Sequence, residues 1–179
     1  MVILMNKKII NIIGTIFIFL IGFVLHNLYD WFPNFITVIF TPINESIFEH
    51  IKLMLTSYLL WIIIKSLILK KYNLSENNFL FKELLTVIFE IVLFLAIFVP
   101  IYNKFGENLM ITLLIYFITI SIGQILNYFI TFKNDHKSIK ILSFIAIIII
   151  YLITTYLTYK PPITDFFLDP TNNSYGLNK

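Results

Sequence analysis

The densest group of chemically reactive side chains lies in residues 41–52, which read Thr-Pro-Ile-Asn-Glu-Ser-Ile-Phe-Glu-His-Ile-Lys. The polar members that we single out are Asn44, Glu45, Glu49, His50 and Lys52. Glu45 and Glu49 are spaced i,i+4, so a helix through the segment would place both carboxylates on one face. His50 would lie about 100° around that helix from Glu49, which predicts that one of the two binds a ligand and the other supports it.

A second pair of the same chemical type, His26 and Asp30, also has i,i+4 spacing. Two helices joined by a short loop could present this pair to Glu45 and Glu49. Imidazole and carboxylate groups are common ligands of Zn²⁺ and also suit Mn²⁺. The pattern therefore predicts a divalent metal site, zinc or manganese, at these four residues, with Glu49 and His50 as candidate catalytic groups.

The composition of the chain places these polar residues in a membrane protein. Of the 179 residues, 59% are hydrophobic and only 13% are charged, whereas about one-quarter of a soluble domain is charged. Cysteine is absent, which excludes disulfides and thiolate ligands. The net charge of +3 is too small and too scattered to indicate a nucleic-acid partner. The expected partner is the lipid bilayer, with a lipid, a peptide or a small solute as ligand.

Apolar runs of roughly 20 residues predict an all-α bundle that crosses the membrane about five times, as one domain over residues 1–179. The predicted spans are residues 9–29, 53–69, 84–102, 109–130 and 141–159, followed by a polar tail at 160–179. We expect the second helix to begin before its span, with Thr41 as N-cap and Pro42 as first residue. It would continue unbroken to Leu69.

The distribution of lysine residues predicts the orientation of the bundle. The N-terminus and the second and fourth connections carry eight lysines, against four on the other side. The positive-inside rule then places the N-terminus in the cytoplasm and the tail outside. The outer side would hold the candidate ligands His26, Asp30, Glu45, Glu49 and His50 together with Glu107. All basic residues are lysines and Asn and Ile are frequent, which indicates an AT-rich bacterial genome and a bacterial plasma membrane.

Further polar residues lie near the inner half of the predicted bundle and in the tail. Lys65 and Glu90 are at depths that allow an ion pair between antiparallel helices, which Gln124 and Asn127 could join by hydrogen bonds. The functional interpretation is an ion or proton path, and the structural one is an interaction that holds the helices together.

The tail contains an apolar run, Phe166-Phe167-Leu168, that is unfavourable in water. We expect the tail to fold back over the outer mouth, which could bring Asp165 or Asp169 to the polar cluster. Alternatively, the tail only anchors at the interface.

Each candidate ligand also has a structural interpretation. Carboxylates in the first turns of a helix stabilise the positive end of its dipole. Glu49 and Lys52 have the i,i+3 spacing of an ordinary ion pair, and Asn44 could cap the helix. His26 and Asp30 could be hydrogen-bonded interface residues. As a group, however, ionisable residues at membrane depth are costly and therefore indicate a function.

Two motifs carry a resemblance to a known family. They are His26-x-x-Tyr29-Asp30 and Pro42-x-Asn44-Glu45-Ser46-x-x-Glu49-His50-x-Lys52. Together they resemble the signature of an uncharacterised family of small multi-spanning membrane proteins from Firmicutes, and residues 166–176 resemble that family's C-terminal end. The resemblance covers most of the chain. It implies a membrane topology and a domain of unknown function, and it assigns no role to any residue.

Three functions are compatible with the sequence. A metal-dependent hydrolase would act at the outer interface on a lipid, a peptide or a lipid-linked substrate, and needs an open coordination position beside a cleft that the bilayer can reach. A transporter, ion-binding or accessory protein would bind a cation or solute and needs a polar path from the outer cluster to Lys65 and Glu90. A structural subunit needs neither feature. The motifs of serine hydrolases and zincin proteases are absent from the sequence.

Overall fold

The computed structural model describes residues 6–106 and 108–177, so Glu107 and the last two residues of the predicted tail lie outside it. The elements are α1 (Lys7–Trp31), α2 (Phe35–Phe40), α3 (Ile47–Lys71), α4 (Phe79–Phe105), α5 (Leu109–Phe129), α6 (Lys137–Tyr159), β1 (Leu168–Asp169) and β2 (Ser174–Tyr175). Five of these helices, all except α2, are long and apolar enough to cross a membrane. The predicted all-α membrane bundle is thus confirmed.

Helix α3 lies at the centre of the bundle. Its Tyr58 and Trp61 side chains are fully buried and belong to one core cluster with Ile18, Phe94 and Ile120 from the neighbouring helices α1, α4 and α5. Helix α1 packs against both α3 and α5, while α4 packs against α3, α5 and α6. Many large apolar side chains on the outer helix faces are exposed, as expected for helices whose solvent is lipid.

Helix α3 begins at Ile47 and not at Pro42, so the predicted start of the second helix was wrong. Ser46 is the N-cap, and its Oγ accepts a hydrogen bond from the backbone N–H of Glu49 at 3.3 Å. A serine in this position satisfies one of the amide groups that have no partner within the first turn. Glu45 therefore precedes the helix and does not share a helix face with Glu49.

The residues before Ser46 are held in a turn by competing side-chain contacts. Thr41 is the C-cap of the short helix α2, and its hydroxyl donates to the carbonyl of Thr37 at 2.8 Å. Asn44 Oδ1 accepts from the backbone N–H of Ser46 at 3.0 Å. Such local bonds offer the backbone an alternative to the helix, and they explain why the helix starts late.

The tail folds back over the end of the bundle where α3 begins. The backbone N–H of Phe48 donates to the carbonyl of Phe166 at 3.1 Å, and the Phe48 and Phe167 rings have centroids 4.7 Å apart. Asp169 is buried within the tail's own turn, where it accepts two hydrogen bonds from Thr171. Asp165 is exposed. Neither aspartate belongs to the polar cluster described below, so this part of the expectation was wrong.

Candidate metal centre

His26, Glu45 and His50 converge where α1 approaches the start of α3. His26 Nε2 lies 3.4 Å from Glu45 Oε2, and His50 Nε2 lies 3.8 Å from the same oxygen. One ligand atom from each residue lies within 4.8 Å of the other two. A tetrahedral zinc ion with bonds of about 2.0–2.1 Å holds its ligand atoms roughly 3.3 Å apart. The three groups are thus close to the spacing that one metal ion requires.

Three different elements position these side chains. His26 is in the last part of α1, His50 is in the first turn of α3, and Glu45 is in the turn that precedes α3. The tail supports that turn, because Asn44 Nδ2 donates to the carbonyl of Gly176 at 3.3 Å. Residues distant in sequence therefore hold the carboxylate against the two imidazoles.

Local hydrogen bonds prepare these groups for a cation. His50 Nδ1 lies 2.9 Å from the carbonyl oxygen of Ser46, so Nδ1 carries a proton and Nε2 is the ring nitrogen that faces Glu45. The hydrogen bond from His26 holds the pKa of Glu45 below its ordinary value of 4.5, although burial acts in the opposite direction. The carboxylate is therefore ionised at neutral pH.

Two histidines and one carboxylate form a ligand set with a known chemical use. Zinc hydrolases commonly hold the metal with three protein ligands and leave the fourth position to water or substrate. The predicted ligands His26 and Glu45 are both in this group. His50, which the sequence suggested as a catalytic group, has its Nε2 in a ligand position. Asp30 is exposed and lies outside the group.

Glu49 also lies outside the group, because its carboxylate is engaged elsewhere. Lys52 Nζ is 2.7 Å from Glu49 Oε2, Thr158 Oγ1 donates to Glu49 Oε1 at 2.8 Å, and the N–H of Ile43 donates to Oε2 at 3.2 Å. Lys52 further donates to the carbonyl of Val38. This arrangement ties α3 to α6 and to the end of α2, in agreement with the i,i+3 pair that the sequence offered as an alternative.

A cavity of about 370 Å³ opens beside the three ligand groups. Its lining includes His26, Glu45 and His50 at one end and mainly apolar side chains elsewhere, among them Leu53, Met54, Phe94, Phe98, Leu109 and Leu113. Cavities of this size with a few convergent polar groups are typical of ligand sites. The three candidate ligand groups thus face a space that can hold a small molecule.

A separate polar network lies deeper in the bundle, and it differs from the predicted one. Lys65 Nζ is 2.7 Å from Glu83 Oε1 and 2.8 Å from Asn127 Oδ1, while Glu90 Oε1 accepts a long bond, 3.5 Å, from Gln124. The predicted Lys65–Glu90 pair was therefore wrong. Glu83 was missed because the third span was predicted to start one residue later. Since α4 begins at Phe79, Glu83 is inside the helix and buried.

Apolar side chains lie between this network and the metal group. On α4, Phe94 and Phe98 follow Glu90 towards the metal end and stack with ring centroids 4.9 Å apart. Phe98 in turn lies 6.1 Å from the ring of His50, and Met54 of α3 is buried in the same core. These rings occupy part of the space between the two polar groups, while the buried side chains of Ser57 and Tyr116 also lie at this level.

Comparisons with known proteins give the chain a family but no activity. Neither the comparison with curated proteins nor that with solved structures returns a match. The model of one protein family, described as a family of unknown function (DUF6512), matches residues 2–177. The chain is therefore a member of the DUF6512 family, which agrees with the resemblance of its motifs to a family of unknown function.

Proposed function

We propose that this protein is a membrane-embedded, zinc-dependent hydrolase whose metal is held by His26, Glu45 and His50. The observation that carries the proposal is the convergence of these three ligand groups at one end of a largely apolar cavity. A bound zinc ion would lower the pKa of a coordinated water to about 7 and so supply a hydroxide nucleophile. The protein's own groups would fix the ion and exclude bulk water from the apolar side.

The hydrolase fits the contacts better than a transporter does. A transporter would need a continuous polar route from the three ligand groups to Lys65, whereas the stacked rings of Phe94 and Phe98 form part of the cavity wall. A purely structural cluster fits less well, because a cavity adjoins the ligand groups where packing alone would favour filled space.

The lysine distribution supports a metal centre at the outer surface of a bacterial plasma membrane, with the N-terminus in the cytoplasm. His26 is five residues from the end of α1 at Trp31, about 8 Å at 1.5 Å per residue. This depth corresponds to the interfacial region of a bilayer. The reaction would then take place at the boundary between water and hydrocarbon.

Elemental analysis of the purified protein in detergent tests the proposal. We expect about one zinc per chain in the wild type and loss of the metal in His26→Ala and Glu45→Gln. Asp30→Asn is the matched control, since Asp30 is near the end of the same helix as His26 but outside the ligand group. The control should retain zinc.

Two results would contradict the proposal. One is a wild type without bound metal after incubation with zinc and removal of the excess. The other is equal zinc content in the wild type and Glu45→Gln, with both folded by thermal denaturation, since the metal would then be bound elsewhere.

A further inference from the structure

We propose that the substrate is a glycerophospholipid of the surrounding bilayer, which reaches the metal centre sideways through a groove between α1 and α5 and is hydrolysed at an acyl ester. This inference rests on the proposed function and names the substrate class of the same site. Its support is a second cavity that shares His26 with the first and lies along α1 and α5.

The second cavity has a volume of about 310 Å³ and lies along α1 and α5. It shares with the first cavity the residues His26, Leu53, Leu109, Leu113 and Tyr116. Its other lining residues are Phe19, Gly22, Phe23 and Asn27 of α1. Because His26 lines both, the second cavity is bounded by one of the candidate metal ligands, and we call this second cavity the α1/α5 groove.

The α1/α5 groove opens to the side of the bundle. Phe23 is 43% exposed and Leu109 is 70% exposed, and both belong to helices long and apolar enough to span the membrane. A groove bounded by such residues faces lipid chains when the helices are in a bilayer. A bilayer molecule can therefore enter it without leaving the membrane.

The direction of the groove matches the orientation of a lipid. Phe19 precedes His26 by seven residues on α1, so the groove descends about 10 Å from the metal group towards the membrane centre. In a bilayer the ester groups lie at the interface and the acyl chains point to the midplane. A phospholipid in its ordinary orientation thus places its ester near His26 and its chain along Phe23 and Phe19.

A glycine controls the width of the groove. A Cβ atom on Gly22 would come within 3.0 Å of the Tyr116 ring and hydroxyl, and Tyr116 is held across the gap by a hydrogen bond from its hydroxyl to the carbonyl of Ile18 at 3.3 Å. The absent side chain therefore lets the Tyr116 ring lie against α1, where it forms part of the wall of the groove. The predominantly apolar lining suits an acyl chain, whereas a peptide would leave its backbone amides without partners there.

The reaction balances without any further co-reactant. The oxygen of water bonds to the ester carbonyl carbon, and the bond between that carbon and the glycerol oxygen breaks. One proton of the water passes to the glycerol oxygen and the other is released when the fatty acid ionises. The products are a lysophospholipid and a fatty-acid carboxylate.

Adjacent residues of α5 supply a matched pair of variants for a test. Leu113 lines the groove, whereas its neighbour Leu114 is 58% exposed on the outer face and lines neither cavity. Leu113→Trp should fill the groove, and Leu114→Trp adds the same ring at a similar depth outside it. Leu109→Trp and Met110→Trp form a second pair at highly exposed positions, in case the first disturbs folding.

The probe is phosphatidylglycerol, added to delipidated, zinc-loaded protein in detergent, with bound lipid measured by native mass spectrometry and released fatty acid by chromatography. We expect Leu113→Trp and Leu109→Trp to lose at least tenfold in both readouts. Leu114→Trp and Met110→Trp should match the wild type, and all four should keep their zinc. Hydrolysis of a short water-soluble ester should also persist in Leu114→Trp and Met110→Trp, whose positions line neither cavity.

The outcomes separate this inference from the function on which it rests. If the folded Leu113→Trp and Leu109→Trp variants bind and cleave phosphatidylglycerol like the wild type, the lateral groove is not the route and the inference is overturned. It is equally overturned if the zinc-loaded wild type cleaves the water-soluble ester but not the lipid. If neither the wild type nor any variant binds zinc, the hydrolase proposal fails. If His26→Ala still binds the lipid in that case, the groove is a lipid-binding site without a hydrolase.

Discussion

Lys52 Nζ and Glu49 Oε2 form an ion pair of 2.7 Å in which both side chains are excluded from solvent. The two residues flank His50 in the sequence and yet contribute no ligand to the group of His26, Glu45 and His50. The pair's hydrogen-bond partner Thr158 is on α6, so the pair connects two helices. Glu45 and Glu49, two carboxylates four residues apart, thus have different roles. Glu45 belongs to the candidate ligand group, and Glu49 belongs to a buried ion pair.

Lys52→Met is expected to lower the free energy of unfolding by about 3–5 kcal/mol, because the buried Glu49 carboxylate loses its cation. Glu45→Gln, which removes a half-buried carboxylate, should cost only about 1 kcal/mol in the absence of metal. Denaturation in mixed detergent micelles gives both values. A larger loss for Glu45→Gln than for Lys52→Met would contradict these assignments.

The deeper network predicts a similar contrast on α4. Glu83→Gln leaves Lys65 without its 2.7 Å partner and should destabilise the fold by about 3–5 kcal/mol. Glu90 is in none of the ion pairs among the described residues and accepts a single long bond from Gln124. Glu90→Gln should therefore change the stability by less than about 1 kcal/mol, and an equal loss for both variants would show that Glu90 also has a cationic partner.

Glu76, in the turn between α3 and α4, predicts a dependence of stability on pH. Burial raises the pKa of its carboxyl, but the charges of Lys65 and Lys82 outweigh burial and leave the pKa below its ordinary value of 4.5. Because the pKa of Glu76 is lower in the folded than in the unfolded state, its ionised carboxylate stabilises the fold at any pH above the unfolded-state pKa. This contribution is lost as the pH falls through the folded-state pKa.

The measurement is the stability of the wild type and Glu76→Gln from pH 7 downwards. At pH 7 the variant should be less stable by about 1–3 kcal/mol. The difference should shrink below about pH 4.5 as the wild-type carboxyl is protonated. A difference that stays constant with pH would mean that the charge of Glu76 contributes nothing.

The tail should affect the metal centre through Gly176. This residue has φ +59°, and a Cβ on it would collide with the carbonyl oxygen of Thr158. Gly176→Ala should displace the tail, remove the bond from Asn44 that supports the Glu45 turn, and weaken zinc binding about tenfold, as loss of outer-shell support commonly does.

Gly106→Ala is the matched control for this experiment. Gly106 also has a positive φ, +74°, but a Cβ there meets nothing within 4 Å. Gly106→Ala should therefore strain the backbone without weakening zinc binding. Zinc affinity is measured by competition with a chromogenic chelator. Equal zinc affinity in Gly176→Ala and the wild type would show that the tail does not support the site.

The sequence could predict the helices because hydrophobic run length is a local property. Apolar runs of this length have few stable alternatives in lipid, where every backbone amide must be satisfied within the helix. The sequence also contained the signal for the start of α3, since Ser46-x-x-Glu49 matches a capping box. The prediction instead took Thr41 as N-cap and Pro42 as first residue, which wrongly extended the helix.

Which polar groups meet was decided only by the tertiary structure. Glu45 joins His26 because its turn is held by contacts with Gly176, more than one hundred residues away, and Lys65 selects Glu83 over Glu90 through the packing of α3 against α4. Spacing along one helix fixes which side chains share a face, but not which neighbouring helix that face meets. The physical reason is that helix formation depends on local backbone bonds, whereas partners in a bundle depend on the rotation and depth at which whole helices pack.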